Sequence, residues 1–250
     1  MIELKGVRKS FGRQVVLDGV DFTVEQGRTV ALLGPSGTGK SVLLKHIIGL
    51  LKPDSGEVLV DGLSVPTLGR SELAALRQKV GYAFQMGALF DSETVYENIH
   101  LGITNDAQYQ DKEFSDDRVT ECLRLVNLEP DVAWKMPGEL SGGMRKRVGI
   151  ARAIAGSPEY LLYDEPTSGL DPVNADAMDA LIEQLQRELH VTSVVVSHDV
   201  RGAFKVADRI ALLHEGKILL EGPREAFMGS RDQVVREFLD RDFQLLEAKH

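Results

Sequence analysis

A chain of 250 residues has room for one large α/β unit carrying an inserted subdomain, with a sizeable core. Asp and Glu number 38 against 29 Lys and Arg, a formal charge of −9, which argues against broad electrostatic binding to nucleic acid or anionic lipid. Cys122 is the only cysteine, which excludes an internal disulfide. With no signal-peptide pattern at the start and no apolar run of spanning length, any membrane role has to come through a partner.

In chain order, residues 2–7 alternate polar and apolar side chains like a half-buried strand, and 20–24 do so again after the Asp18-Gly19 turn. These predict antiparallel strands flanking a glycine-rich stretch at 34–41. Phe11 falls on the connection between them, where a ring can stack on a purine; the plainer reading is a core aromatic. The apolar run 29–33 predicts a buried strand and 42–48 a helix. Between them lies Gly34-Pro35-Ser36-Gly37-Thr38-Gly39-Lys40-Ser41, the phosphate-loop pattern in the setting that it requires. Glycines let the backbone curl with its N–H groups inward, and the new helix adds a positive dipole end. Lys40 then places an ammonium on terminal phosphates, and Ser41 offers a hydroxyl to Mg2+.

Further on, 57–60 and 80–84 read as strands, the second ending at Gln85. From 87 to 157 the period becomes mostly helical, with helices expected at 94–101, 115–127 and 142–155 and a polar loop at 103–114. This predicts a helical subdomain inserted into a catalytic core of 1–86 and 158–230, followed by a helical tail, 231–250. Cys122 shares helical spacing with Val119, Leu123 and Val126 and reads as a small core residue. Strand patterns return at 160–163, 192–197 and 209–214, with a helix at 173–189 after Pro172. The expected fold is α/β: a P-loop NTPase with a parallel-sheet core, a flanking antiparallel β subdomain and the helical insert.

Three more constellations point to the reaction. Tyr160-Leu161-Leu162-Tyr163 ends in Asp164 and Glu165, where the carboxyl edge of a parallel sheet meets ligands. Asp164 suits Mg2+, and Glu165 suits a water attacking the γ-phosphate; the plainer reading is a strand exit with solvated acids. The apolar strand 194–196 runs through Ser197 to His198, an imidazole able to donate to the γ-phosphate or simply to serve as a structural residue. Ser141-Gly142-Gly143 opens the helix of 145–155 and offers a second set of free N–H groups, unless it is only a cap. One nucleotide loop and two anion sites fit a head-to-tail pair of chains, each capping the ATP held by the other.

Taken together, these motifs resemble the nucleotide-binding subunit of an ATP-binding cassette transporter over almost the whole chain. The matched residues are 34–41, Gln85, Leu140-Ser141-Gly142-Gly143, Asp164-Glu165, Ser168-Gly169-Leu170-Asp171 and His198. The resemblance implies that Phe11 stacks on adenine, that Gln85 links Mg2+ and attacking water to a membrane partner, and that 168–171 communicates across the dimer. It makes Glu165 the general base, with Lys40, Gln85 and His198 assisting. The expected nucleotide contacts are Phe11, Gly34, Pro35, Ser36, Gly37, Thr38, Gly39, Lys40, Ser41, Val42, Ser141, Gly142 and Gly143. Ser41, Gln85 and Asp164 are the expected Mg2+ ligands.

Residues 39–45, 84–90 and Met144 are similar to the ATPases of Mla/Mce-type phospholipid transporters. That resemblance implies a polytopic permease contacted near 85–90, a periplasmic lipid-binding subunit and a small regulatory subunit. The charge balance predicts no nucleic-acid partner, and the resemblance implies a peripheral place on the cytoplasmic face of a bacterial inner membrane. Phe11 stands where tyrosine is usual, Val42 where many relatives carry a hydroxyl, and Met144 where glutamine is commoner; none of these removes the Mg2+ ligands or the base. In the tail, Val234, Val235, Phe238 and Leu239 have helical spacing and Leu245 and Leu246 follow among charges. That stretch either packs on its own domain or reaches a second protomer or a regulatory subunit. Two classes stay open: the motor of a lipid transporter or of another importer, and a soluble ATPase with no membrane subunit.

Overall fold

The computed structural model describes residues 1–247, with side chains through Asp240. The chain forms two compact units, Met1–Gly69 with the segment from Thr192 onward, and Arg70–Val191.

The first unit opens with β1 (Ile2–Phe11) and β2 (Gln14–Val24), an antiparallel pair. Ile2, Leu4 and Val7 on one strand and Leu17, Val20, Phe22 and Val24 on the other are buried, the period-two pattern of a sheet with one wet face, set off by one residue at the register shift after Leu4. Phe11 is the last residue of β1 and not part of the connection, because pairing continues out to Phe11 opposite Gln14. There follow β3 (Thr29–Leu33), buried at every position, α1 (Lys40–Ile47), β4 (Ser55–Val60) and β5 (Leu63–Ser64). The antiparallel sheet has the order β2-β1-β4-β5.

The second unit contains α2 (Arg70–Lys79), β6 (Val80–Ala83), α3 (Val95–His100), α4 (Asp106–Gln110), α5 (Lys112–Leu125), α6 (Gly142–Ile154), β7 (Tyr160–Asp164) and α7 (Pro172–Leu189). Three of these match the helices expected near 94–101, 115–127 and 142–155. The loop expected at 103–114 is instead α4 and the first turn of α5. Caps make these helices: Asn105 accepts from the Gln108 N–H and Asp111 from the Phe114 N–H, each at 3.1 Å. With no buried residue on α4, no apolar period announces it. The same holds for α2, where Leu76 alone is buried.

The chain returns to the first unit with β8 (Thr192–Ser197), α8 (Val200–Val206), β9 (Arg209–His214), β10 (Lys217–Gly222), α9 (Arg224–Met228) and α10 (Gln233–Glu247). Within this unit β3 lies between β8 and β9 and runs parallel to both, and β10 pairs antiparallel with β9. Val235 and Leu239 of α10 are buried with Val200, Ala203 and Phe227 against Ala31, Leu33, Ile210 and Leu212, and Phe238 packs at the margin. The tail helix therefore packs on its own unit through residue 240. The expectations for the Leu245 and Leu246 side chains lie outside the described residues. Among the described residues no helix is long and apolar enough to cross a membrane.

Candidate nucleotide site

In the first unit, register places the chemistry. Leu33, at the end of β3, lies opposite Ser197 on β8 and Leu212 on β9. Gly34 and His198 therefore leave adjacent carboxyl ends of parallel strands, the edge at which such sheets bind ligands. The loop after β3 is shaped by two glycines for two reasons. A Cβ on Gly34 would lie 2.4 Å from the Leu213 carbonyl oxygen, and one on Gly39, at φ 102°, would lie 2.8 Å from Val16 Cγ1. Gly39 also starts α1, accepting from the Leu43 N–H at 2.9 Å.

Lys40, 5% exposed, turns its ammonium back along the loop and donates to the carbonyls of Gly34 (2.7 Å) and Pro35 (3.0 Å). Thr38 Oγ1 donates to the Pro35 carbonyl as well, at 2.9 Å. Ser36 and Gly37 form an exposed rim, and Ser41 and Val42 are half-buried. A fixed cation beside a left-handed turn at a helix start suits a polyphosphate.

His198 is exposed, between β8 and α8, and the next residue, Asp199, caps α8 by accepting from the Arg201 (2.9 Å) and Gly202 (3.1 Å) N–H groups. Phe11 is 47% exposed, which removes the core reading of that ring. The Lys9 ammonium sits 5.5 Å from its centre and also pairs with Asp54 at 2.8 Å. That hydrogen bond from Lys9 holds the Asp54 carboxyl below the usual carboxylate range.

In the second unit the same logic operates on other strands. Ala83 on β6 lies opposite Tyr163 on the parallel β7, so the turn carrying Gln85 and the pair Asp164-Glu165 leave neighbouring strand ends. Tyr82 donates its hydroxyl to Asp164 Oδ2 at 2.9 Å, and burial with the adjacent carboxylate pushes the Tyr82 pKa up. Gln85 Nε2 reaches Ser168 Oγ at 3.4 Å. Both acids are buried, and Glu165 has a left-handed backbone, φ 51°, uncommon for a side chain of its kind.

Ser141 caps α6, its Oγ accepting from the Met144 N–H at 3.2 Å. Gly143 lies near Leu170, whose Cδ2 would be 3.8 Å from an added Cβ, so residues 141–143 and 168–171 are neighbours. Asp171 caps α7 through the Val173 and Asn174 N–H groups, both at 3.1 Å. Its carboxyl is held below the usual range first by the Asn174 side chain and then by the backbone donors.

Residues 84–90 are pinned from two sides. Arg152 donates to the carbonyls of Gly87 and Ala88, each at 2.8 Å, and a Cβ on Gly149 would lie 2.8 Å from the Gly87 Cα. Asn98, fully buried, donates to the Phe90 (3.1 Å), Glu93 (3.1 Å) and Thr94 (3.0 Å) carbonyls and accepts from the Phe90 N–H (2.8 Å). The backbone is thereby fixed while Met86 (75%) and Phe90 (55%) stay exposed.

Sequence reasoning missed Tyr82, Asn98, Lys146 and Arg152. For Lys146 a signal existed: it shares a helix face with Ile150 and Ile154, and a lysine within a buried stripe needs a partner.

Comparison with known proteins places the chain among relatives. The sequence profile of the ABC transporter family matches residues 17–168. The chain is 42% identical over 239 residues to the "Probable ribonucleotide transport ATP-binding protein mkl" of Mycobacterium leprae, covering 96% of this chain and 68% of that protein. It is 38% identical over 240 residues to the "Intermembrane phospholipid transport system ATP-binding protein MlaF" of Escherichia coli K12, covering 96% and 88%. Among solved structures, a dimeric ATP-binding cassette in a post-hydrolysis state with ADP and Pi is similar with a TM-score of 0.81 at 35% identity, covering 89% of this chain and 98% of that one.

Proposed function

The chain belongs to the ABC transporter family as one of its ATP-hydrolysing subunits, and from that premise we propose that the transporter it powers moves phospholipid between bacterial membranes. The observation that carries the ATPase chemistry is the Lys40 ammonium held inside a glycine turn at the start of α1, with His198 leaving the adjacent strand end. Similarity to MlaF over nearly the whole chain carries the lipid reading. The similarity to mkl favours a second one, in which the solute is a ribonucleotide.

In this reading Lys40 binds the terminal phosphates, and the loop from Gly34 to Val42 wraps them with backbone donors. The oxygens of Ser41, Asp164 and Gln85 are the hard donors that Mg2+ prefers, and the Tyr82 hydroxyl orients Asp164 for that task. Bound Mg2+ would neutralise charge on the β- and γ-phosphate oxygens. Glu165 orients the attacking water and accepts its proton, and His198 donates to the γ-phosphate. Phe11 offers its exposed ring to the adenine.

Ser141, Gly142 and Gly143 of one copy cap the nucleotide held by a second copy, so the active assembly is a head-to-tail pair. The exposed Met86 and Phe90 seat a polytopic permease against a loop that Arg152 and Asn98 hold rigid. The subunit is then peripheral on the cytoplasmic face of the inner membrane, with a periplasmic lipid-binding subunit and a small regulatory subunit completing the system.

The test is purification in detergent followed by reconstitution. A polytopic subunit and bound phospholipid are expected to co-purify, with ATP-dependent phospholipid transfer between vesicles. Isolation of a lone soluble assembly would overturn transport, and ATP-dependent uptake of ribonucleotide without lipid transfer would favour the second reading.

A further inference from the structure

Helix α6 makes one contact that phosphate binding does not require. Lys146 is 7% exposed, and its ammonium donates to two carbonyls of the catalytic turn, Glu165 (3.1 Å) and Pro166 (2.9 Å). Burial lowers its pKa, and the Glu165 charge opposes that trend. A buried ammonium persists when hydrogen-bonded partners replace its water.

The turn it grips is an unusual one. Glu165 adopts φ 51° immediately before Pro166, and its carbonyl accepts a second bond, from the Ser168 N–H at 3.2 Å. A non-glycine residue in this region holds its conformation only where the surroundings over-determine it. The backbone of Glu165 also sets the direction in which its Cβ leaves, so whatever fixes the carbonyl fixes the origin of the carboxylate.

We propose that Lys146 is a positioning residue for Glu165, tying the catalytic turn to the helix that Ser141 opens. The same helix grips the other strand exit of the unit through Arg152, on the Gly87 and Ala88 carbonyls. Both turns at the carboxyl ends of β6 and β7 are thus tethered to α6 through their main chains. The inference rests on the reading of Glu165 as the general base.

The test is a double-mutant cycle in the intact transporter, comparing K146M, E165Q and the pair, with K146R as the conservative variant. K146M is expected to lower kcat about 10²-fold, the scale of a misplaced catalytic group, with KM for ATP changed less than about twofold. K146R, which keeps the donors, recovers most of that loss. The double variant turns over no more slowly than E165Q alone, because the lysine acts through the glutamate.

Unchanged kcat in K146M, a loss confined to KM, or losses that multiply in the pair would each overturn the role of Lys146 while leaving the base in place. Normal turnover in E165Q would overturn both, and would identify the base reading as the one at fault. Should the methionine variant fail to fold, K146A, which also removes the donors, carries the same cycle with the same outcomes.

Discussion

The two units place their functional groups by different means. In the first, the loop proposed to hold phosphate is a contiguous stretch shaped by its own glycines at 34 and 39, where a Cβ would strike Leu213 or Val16, and by a lysine that bonds carbonyls five and six residues away. In the second, the groups are held by side chains from distant parts of the sequence: Tyr82 on Asp164, Lys146 on Glu165, and Arg152 on Gly87. A motif carried by local backbone geometry can be read from sequence. A site assembled by long-range clamps can be read only where its residues fall into a known pattern.

If the contrast is right, damage to the second unit should slow chemistry, and damage to the first should loosen nucleotide. The largest effect is expected from Glu165→Gln, with turnover falling about 10²- to 10⁴-fold while ATP affinity is kept. Steady-state kinetics alongside equilibrium nucleotide binding checks this, and near-normal turnover would reject the base. Next comes Gly34→Ala, which drives a Cβ into the Leu213 carbonyl. Strain of about 1–3 kcal/mol corresponds to roughly fivefold to 150-fold weaker ATP binding. Affinity equal to that of the unaltered chain would show that the loop is not rigid.

Tyr82→Phe removes a buried hydrogen bond to a carboxylate, worth about 1.5–3 kcal/mol. It should raise the Mg2+ concentration needed for half-maximal turnover and lower the unfolding midpoint. A fall in stability alone would make Tyr82 a packing residue.

The smallest effect is one of pH and belongs to α1. Burial holds the His46 imidazole below its ordinary 6.5, so as pH falls the unfolded chain binds that proton first. Stability is therefore intact above about 6.5 and declines from there down to the lowered folded pKa. Unfolding midpoints across that range should slope, and His46→Gln should flatten them.

Legibility divides along the same line. Residues 34–41 lie between a buried strand and a helix, as read, and strands at Thr192–Ser197 and Arg209–His214 fall at their expected positions. What the sequence hid was register: nothing in residues 29–33 says that Leu33 will face Ser197. Also hidden were elements with few buried residues, α2 and α4, which depend on caps and context and not on an apolar stripe. Phe11 belongs to β1 and not to the connection because pairing outlasts the alternation that signals it.

The final helix has a consequence for anyone who shortens this protein. Val235 and Leu239 lie in the same apolar cluster as Ala31 and Leu33, the strand from which the phosphate loop departs. Deleting the chain beyond Asp232 would admit solvent behind that strand and behind Phe227 and Val200. If the loop holds nucleotide as proposed, a chain cut more than 190 positions after Lys40 is expected to bind ATP more weakly, as though the loop itself had been altered, and equilibrium nucleotide binding checks this.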